Sequence, residues 1–296
     1  MQIIDKSVYT FSKNNPPFSR AVPGEVLLFK TMDCYSGQIK SEQQPVEDLD
    51  LNRANPAAGP VFIEGAEPGD VLVVDILDIQ VDKFGLARAT PSTGPLGDQS
   101  ETRTRAIEVV DGVASFNDVK WLVKPMIGVI GTAPDGEDVA CGFAGDHGGN
   151  MDSKLITKGV RLYFPVRVPG ALLQMGDLHA SMGDGEVCGT GIEVAGEVLV
   201  NTRLIKNFPL NWPVTETEGH WYVNTEDDFL EGALKKAASE LRRLMEPVYG
   251  WDTTDCFIYL SINGDVGINQ SALPAGHPNV TLRFGIPKIP GKGPLI

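Results

Sequence analysis

Apolar residues fall in short runs through the first two thirds of the chain, and glycine or proline bounds most of these runs. The clearest cover residues 71–79, 126–130, 161–168 and 192–200, and they are rich in β-branched side chains. Such runs predict strands, because branched side chains pack well on a pleated surface and glycine and proline favour turns. Many short strands with frequent turns predict a mainly β fold, built as a sandwich or barrel.

One segment near the C-terminus has helical periodicity instead. Between Glu226 and Met245, apolar residues recur every three or four positions, Thr225 precedes the run as an N-cap, and Pro247 follows it as a stop signal. The apolar run from Cys256 to Ile262 then predicts a buried strand. These elements indicate a small α+β unit attached to the β body.

Length and composition fit a soluble globular protein of three regions. The chain has 296 residues, 42% hydrophobic and 22% charged, which is ordinary for such proteins. We expect a β-rich catalytic body over residues 1–215 and a small α+β subdomain over residues 216–269. Residues 270–296 are expected to return to the β body.

The net charge limits the classes of partner. A charge of −14 argues against nucleic acids and anionic membranes, because both would be repelled, and it favours a neutral or cationic small substrate. No segment reaches the roughly 18 apolar residues of a transmembrane helix, and residues 1–18 lack the apolar run of a secretory signal.

The cysteines indicate a reducing compartment. They stand far apart, with no Cys-x-x-Cys pair, which excludes a thiolate zinc site of that type and argues against a disulfide framework. We therefore expect a cytoplasmic protein. The four positions are Cys34, Cys141, Cys188 and Cys256.

Two polar, glycine-rich segments hold most of the candidate chemistry. Carboxylates and imidazoles on a backbone that turns tightly are the groups that bind metals and move protons. Each acid beside a glycine is, taken singly, more often a turn residue, but two histidines among several acids favour a site. The groups are His147, Asn150, Asp152, Asp177, His179, Asp184, Glu186 and Glu193.

Spacing suggests how the second segment could form one site. If residues 173–180 form a strand, Asp177 and His179 point to the same face, because side chains alternate along a strand. Asp184 and Glu186 repeat this spacing beyond a flexible turn, so both could bend back toward the same point.

Several motifs resemble the acetamidase/formamidase family of amide hydrolases. The resemblance covers nearly the whole chain and implies a β-rich fold, hydrolysis of acetamide or formamide to a carboxylate and ammonia, and a homo-oligomer. Met182 departs from the pattern, because a glutamine is expected there. The motifs are 59–70 (GPVFIEGAEPGD), 147–152 (HGGNMD), 165–172 (PVRVPGAL), 176–180 (GDLHA) and 183–190 (GDGEVCGT).

Amide hydrolysis suggests a metal centre, because amides are poor electrophiles and neutral water is a poor nucleophile. A divalent ion polarises the carbonyl and lowers the pKa of water to around 7; we expect zinc, with calcium as the alternative. The expected metal ligands are His147, Asp177 and His179, with Asp33 as a candidate fourth. The other expected roles are general base for Glu186, a proton-transfer or ligand-orienting role for Asp184, orientation for Asp152, and substrate binding for Asn150.

Two other functions stay open at this point. The acids could form an oxygen-rich calcium site in a non-catalytic β-rich binding protein, or Cys188 could be the nucleophile of a thiolate amidase. His220 and His277 have no acidic partner at ligand spacing and are expected to be packing or surface residues.

Overall fold

Strands form most of the regular structure, as the apolar runs predict. The computed structural model of the chain describes residues 1–45, 48–91, 93–272 and 280–296. In chain order its strands are β1 (Gln2–Ile4), β2 (Ser7–Val8), β3 (Thr10–Phe11), β4 (Ser19–Ala21), β5 (Val26–Thr31), β6 (Ala57–Ile63), β7 (Val71–Val81), β8 (Phe84–Ala89), β9 (Arg103–Val110), β10 (Val113–Phe116), β11 (Val119–Leu122), β12 (Met126–Gly131), β13 (Val139–Ala140), β14 (Ala144–Gly145), β15 (Gly148–Asn150), β16 (Arg161–Pro165), β17 (Leu173–His179), β18 (Glu193–Val194), β19 (Gly196–Ile205), β20 (Val214–Glu216), β21 (His220–Asp227), β22 (Asp265–Gln270) and β23 (Val280–Pro287).

Within the described residues, the strands form two large sheets and one small one. The first sheet has nine strands in the order β1-β5-β19-β7-β16-β20-β21-β23-β22. The second has twelve, along the path β11-β10-β9-β8-β18-β17-β12-β15-β14, with β6 pairing with β17, β2 and β4. Strands β3 and β13 pair separately.

Apolar side chains of both large sheets meet in one core. Leu27 and Val74 of the first sheet belong to the same buried cluster as Ile127 and Met175 of the second, and all four are fully buried. Two sheets packed over a shared core form a sandwich. The prediction of a mainly β fold with a helical part near the C-terminus is confirmed.

Part of the first sheet is buried on both faces, as the first four residues of strand β7 show. Leu72 and Val74 point into the core between the sheets, whereas Val71 and Val73 point to the opposite face, into a second cluster with the C-terminal helices. Because side chains alternate along a strand, burial of both faces explains the unbroken apolar run at this place in the sequence.

Helix α1 (Leu230–Tyr249) begins later and ends later than the sequence predicts. Residues 220–227 pair with β23 along their whole length, so strand pairing overrides the acidic helix-start signal there, and Thr225 is not the N-cap. The helix continues past Pro247 and ends at Gly250, whose φ of +68° suits a glycine C-cap.

The strand predicted for Cys256 to Ile262 is wrong. These residues belong to helix α2 (Thr253–Asn263), where the Asp252 carboxylate accepts a hydrogen bond from the Asp255 backbone N–H at the N-terminus. Cys256 and Leu260, four positions apart, are buried against the sheet. A short apolar run does not distinguish a helix from a buried strand.

The C-terminal elements share the first sheet with the body. Strands β20 to β23 extend the edge formed by β16, and both helices pack against this extension. The domain boundaries at residues 216 and 269 stay a prediction. Among the described residues, neither helix has the combination of length and apolar character needed to cross a membrane.

Candidate active site

A cavity of about 850 Å³ lies where the two polar segments meet. Strands β15 and β17 both pair with β12, and this pairing brings the segments together in the second sheet. Asn150 and Asp152 line the cavity from one segment, and Asp177, Glu186 and Glu193 line it from the other. Its volume lies within the range of ligand pockets, roughly 300–1,000 Å³.

Four carboxylates and one imidazole form a buried cluster at this cavity. His179 Nε2 lies 3.1 Å from Glu193 Oε2, 3.7 Å from Asp177 Oδ1 and 3.9 Å from Glu186 Oε1. Asp152 completes the cluster, with ligand atoms of Asp152, His179 and Glu186 within 4.8 Å of one another. Each of the five is at most 5% exposed, and none of the four acids pairs with a lysine or arginine among the described residues.

Most of these side chains are held through one atom and leave another atom without a partner. His179 Nε2 and Glu193 Oε2 are close, but they do not have the alignment of a hydrogen bond. The anchoring bonds run from Asn55 Nδ2 to Asp177 Oδ2 (3.2 Å), from the Gly191 backbone N–H to Glu193 Oε1 (2.8 Å) and from Gln270 Nε2 to Asp152 Oδ2 (2.8 Å). Within this cluster, four buried atoms have no hydrogen-bond partner: Asp152 Oδ1, Asp177 Oδ1, His179 Nε2 and Glu193 Oε2.

Backbone strain coincides with the cluster. Asp152, Asp177 and Glu186 have φ angles of +46°, +55° and +42°, in a region that costs a non-glycine residue roughly 1–3 kcal/mol. Gly128 on β12 leaves space beside them, because a Cβ there would lie 2.5 Å from Asp152 Oδ1 and 2.7 Å from Asp177 Oδ2. This local geometry directs the carboxylates toward one another.

Burial and neighbouring charges change the proton affinities of the cluster. Burial raises the pKa of Asp152 well above its usual value, and the Glu186 charge adds to this. Burial also raises the pKa of Glu193, to about 7, despite the nearby His179. For His179, burial lowers the pKa, but the surrounding acids outweigh it and the pKa is raised. A bound cation would replace these protons and favour the ionised acids.

The donor set fits a divalent metal ion. Tetrahedral zinc with bonds of about 2.0–2.2 Å places its ligand atoms about 3.3–3.6 Å apart. His179 Nε2 lies 3.7 Å from Asp177 and 3.1 Å from Glu193, and Cys34 has its sulfur within 4.8 Å of both acids. An imidazole nitrogen among the donors suits zinc, whereas calcium prefers six to eight oxygens.

Asp33, predicted as a fourth metal ligand, lies in a turn. Its carboxylate accepts hydrogen bonds from the backbone N–H groups of Tyr35 (2.9 Å) and Gly37 (3.0 Å). The next residue, Cys34, faces the cluster instead. The structure therefore does not bring Asp33 into the group of candidate ligands.

His147, another predicted ligand, lies in a separate apolar contact. Its ring packs edge-on against Phe11 with centroids 4.8 Å apart, and burial lowers its pKa to about 4. Its Nε2 is buried without a hydrogen-bond partner. However, His147 belongs to neither group of described residues whose ligand atoms lie within 4.8 Å of one another; these groups are Cys34, Asp177 and Glu193, and Asp152, His179 and Glu186. Its role as a ligand stays a prediction.

Asp184 is held in ion pairs away from the cluster. Arg283 contacts its two oxygens at 2.8 and 3.0 Å, and Lys154 contacts it at 2.7 Å. Burial opposes ionisation of Asp184, but these hydrogen bonds outweigh it and lower its pKa. A carboxylate paired with two cations is a weak base, so the geometry favours Glu186 over Asp184 for proton transfer.

Asn150 has the position expected of a substrate-binding residue. It lines the cavity, and its Nδ2 donates to the Gly142 carbonyl at 3.3 Å. Its Oδ1 is buried without a hydrogen-bond partner. An unpaired acceptor at a cavity complements the N–H donors of an amide.

Gln270, which sequence reasoning missed, connects the C-terminal part to the site. Its Nε2 donates to Asp152 Oδ2 and to Glu186 Oε2, both at 2.8 Å. The Gly185 N–H bonds to carbonyls near the end of β22, which places Gln270 beside the loop. Cys34 was also missed. No local pattern marks either residue, because each depends on pairing between distant segments.

Cys188 lines the cavity. Its thiol donates to the Thr190 carbonyl at 3.6 Å, and no lysine is present among the described cavity-lining residues. Of the remaining histidines, His220 stacks on Tyr222 with centroids 5.5 Å apart, as a packing residue does. His277 lies outside the described residues.

Fold and site together define a β-sandwich protein with a buried histidine–carboxylate centre. The chain belongs to the acetamidase/formamidase family, because the model of that family matches residues 9–140 and 143–221.

Related proteins support this assignment. The crystal structure of an acetamidase from Bacillus halodurans is similar at a TM-score of 0.92 and 35% identity, covering 96% of this chain and 97% of that one. The structure of a predicted acetamidase/formamidase from Thermoanaerobacter tengcongensis gives a TM-score of 0.92 and 40% identity, covering 97% and 95%. A formamidase from Methylophilus methylotrophus is 32% identical over an alignment of 254 residues, and the match covers 65% of this chain and 62% of that protein. This chain therefore spans less than two thirds of the formamidase.

Proposed function

We propose that this protein hydrolyses short-chain aliphatic amides, such as acetamide and formamide, to a carboxylate and ammonia with a bound divalent metal ion. The observation that carries the proposal is the convergence of four buried atoms without partners, on Asp152, Asp177, His179 and Glu193, beside the cavity. The substrate class comes from the names of the related proteins, acetamidase and formamidase.

Asp177, His179 and Glu193 are the residues we assign to the metal. Each is anchored or contacted on one side and free on the other. His179 Nε2 lies 3.7 Å from Asp177 Oδ1 and 3.1 Å from Glu193 Oε2, close to the spacing of about 3.3–3.6 Å between the ligands of a tetrahedral zinc ion. On the other side of the His179 ring, Nδ1 lies 3.3 Å from the Met182 sulfur. The ion supplies a Lewis acid that polarises an amide carbonyl and acidifies water.

Glu186 is the residue we assign to proton transfer. It lines the cavity, and the hydrogen bond from Gln270 orients its carboxylate. In this position it removes a proton from water and returns it to the departing nitrogen. Asn150 Oδ1 accepts a hydrogen bond from the substrate N–H, which orients the amide in the cavity.

Release of ammonia tests the proposal most simply. The purified protein is incubated with formamide and with acetamide, ammonia is measured, and bound metals are quantified in the same sample. Zinc with ammonia release supports the proposal. Calcium without ammonia release supports the alternative, a calcium-stabilised binding protein.

A cytoplasmic location and a homo-oligomeric state stay predictions. All four cysteines are free in the structure, which fits a reducing compartment. Size-exclusion chromatography with light scattering measures the oligomeric state.

A further inference from the structure

Arg88 is a buried cation that the proposed chemistry does not use. It lies near the end of β8, is 5% exposed and lines the same cavity as the acidic cluster. Its guanidinium atoms Nε and Nη2 have no hydrogen-bond partner, and none of the described acids forms an ion pair with it. A buried, unpaired charge is costly unless a ligand compensates it.

The unpaired atoms form the edge of the guanidinium that binds carboxylates side-on. Elsewhere in this chain the same edge is occupied: Arg243 donates from Nε and Nη2 to the two oxygens of Glu240, at 2.9 and 2.7 Å. Arg20 does the same to Glu64. A planar fork of two parallel donors matches a carboxylate better than it matches a neutral carbonyl.

Two hydrogen bonds hold the backbone of Arg88, so the fold determines the position of this residue. Its backbone N–H donates to Thr190 Oγ1 at 2.9 Å, and Thr190 Oγ1 donates to its carbonyl at 3.2 Å. These bonds connect β8 to the loop that carries Glu186 and Cys188. The two hydrogen bonds with Thr190 therefore join the strand that carries Arg88 to the loop that carries Glu186, the candidate proton-transfer group.

We propose that Arg88 forms a carboxylate-binding subsite, and that the preferred substrates are short amides with a carboxylate at the other end, the monoamides of dicarboxylic acids. This inference rests on the proposed amide hydrolysis and narrows its substrate class. A cavity of about 850 Å³ is much larger than acetamide requires. Arg88 supplies a second point of attachment, which holds the amide in one orientation.

The net charge of −14 disfavours anionic substrates at long range, but it does not decide recognition within the cavity. Surface charges are screened over about 8–10 Å at physiological ionic strength. A guanidinium in a buried wall is screened much less, so its contact with a carboxylate determines the local preference.

The test compares acidic amides with a neutral analogue. Malonamate, succinamate and glutaramate cover three chain lengths, and 4-oxopentanamide replaces the carboxylate of succinamate with a methyl ketone. We expect at least one acidic amide to have a kcat/KM about tenfold or more above that of the neutral analogue, because hydrogen bonds to a charged group are strong. Arg88→Gln should remove this preference and leave kcat/KM for the neutral analogue within about threefold.

Two further variants complete the comparison. Arg88→Lys keeps the charge without the planar fork and should retain only part of the preference. Arg103→Gln, which removes an exposed arginine from the neighbouring strand β9, is the matched control and should retain all of it. Circular dichroism confirms that each variant is folded.

The outcomes separate the inference from the proposed function. If Arg88→Gln lowers kcat/KM equally for acidic and neutral amides, Arg88 serves as a countercharge for the buried acids and the inference is overturned. A wild-type protein that hydrolyses acidic and neutral amides with the same kcat/KM would also overturn it. If no amide is hydrolysed, the proposed function fails. In that case the affinity for succinamate is measured by calorimetry in the wild type and in Arg88→Gln. A lower affinity in the variant would still support the subsite, and equal affinities would overturn it.

Discussion

Glu186 combines burial, an unusual backbone conformation and a hydrogen bond from Gln270. Glu186→Gln keeps its shape and removes its basic carboxylate. We expect turnover to fall by about 10² or more while bound metal is unchanged, because proton transfer is lost and the metal ligands stay. Metal analysis and ammonia release are measured on the same sample. Loss of metal together with activity would instead make Glu186 a ligand.

His179 is the residue whose loss should affect the metal directly. Its Nε2 faces three carboxylates within 3.9 Å, so His179→Ala removes a central donor. We expect metal affinity to fall by more than about tenfold, since even changes behind the ligands cost 10–100-fold. His220→Ala, at a stacking residue distant in sequence from the site, is the control and should keep its metal. Equal metal content in both variants would place the metal site elsewhere.

Cys188 separates the two candidate nucleophiles. In the proposed chemistry it is a half-buried packing residue, so Cys188→Ala should cost roughly 1 kcal/mol of stability and keep most of the turnover per folded molecule. Mass spectrometry of the working enzyme should show no acyl group on the thiol. A folded, metal-loaded but inactive Cys188→Ala protein would support the thiolate mechanism.

The residue types of the site could be predicted from sequence, but their directions could not. Asp177 and His179 were expected to share a face, and the structure brings them together. Asp33 and Cys34 are neighbours in a turn, yet only Cys34 faces the cluster, and Asp184 and Glu186 separate in the same way. In a turn the side-chain direction depends on local φ and on distant partners, and neither follows from spacing alone.

At the scale of elements, the buried carboxylate of Glu240 connects helix α1 to the body through hydrogen bonds from Asn211. Glu240, 3% exposed, accepts hydrogen bonds from Arg243 and from the Asn211 backbone and side chain. Glu240→Ala leaves these donors unpaired, and we expect the free energy of unfolding to fall by about 2–3 kcal/mol. Urea denaturation measures this change. Glu231→Ala, exposed on the same helix, should change it by no more than about 0.5 kcal/mol.

This contribution should depend on pH with a definite sign. Burial opposes ionisation of Glu240, but the hydrogen bonds from Arg243 and Asn211 outweigh it and lower its pKa. The stabilisation is therefore complete above the pKa of the unfolded state and is lost as pH falls through the lower folded value. The difference between wild type and Glu240→Ala should shrink in acid; a constant difference would show that the carboxylate charge is not its source.

The type of an element could be predicted from sequence where the strand pattern was clear. The prediction failed where tertiary contacts determined whether a segment formed a strand or a helix. The runs at 71–79 and 126–130 became β7 and β12, and both faces are buried along the whole of β12 and along the first four residues of β7. The helix does not start at Glu226, because this residue belongs to β21 and pairs with β23. The apolar run at Cys256 became a helix because Asp252 caps it and only one of its faces is buried.

At the scale of the whole molecule, the site depends on segments far apart in the chain. Cys34 comes from the N-terminal part, Asp177 and His179 from the centre of the second sheet, and Gln270 from the last strands of the first sheet. Four buried acids with one histidine have no cationic partner in ion-pair contact among the described residues. The central claim is therefore that a divalent cation compensates these acids and makes the site active.

Removal and restoration of the metal test this claim most directly. The protein is treated with a chelator, dialysed, and assayed for ammonia release from acetamide and formamide before and after zinc is returned at a stoichiometric concentration. We expect activity to disappear with the metal and to return with zinc, together with a rise in Tm, because the metal binds only the folded site. Full activity in protein shown by elemental analysis to be free of metal would contradict the account.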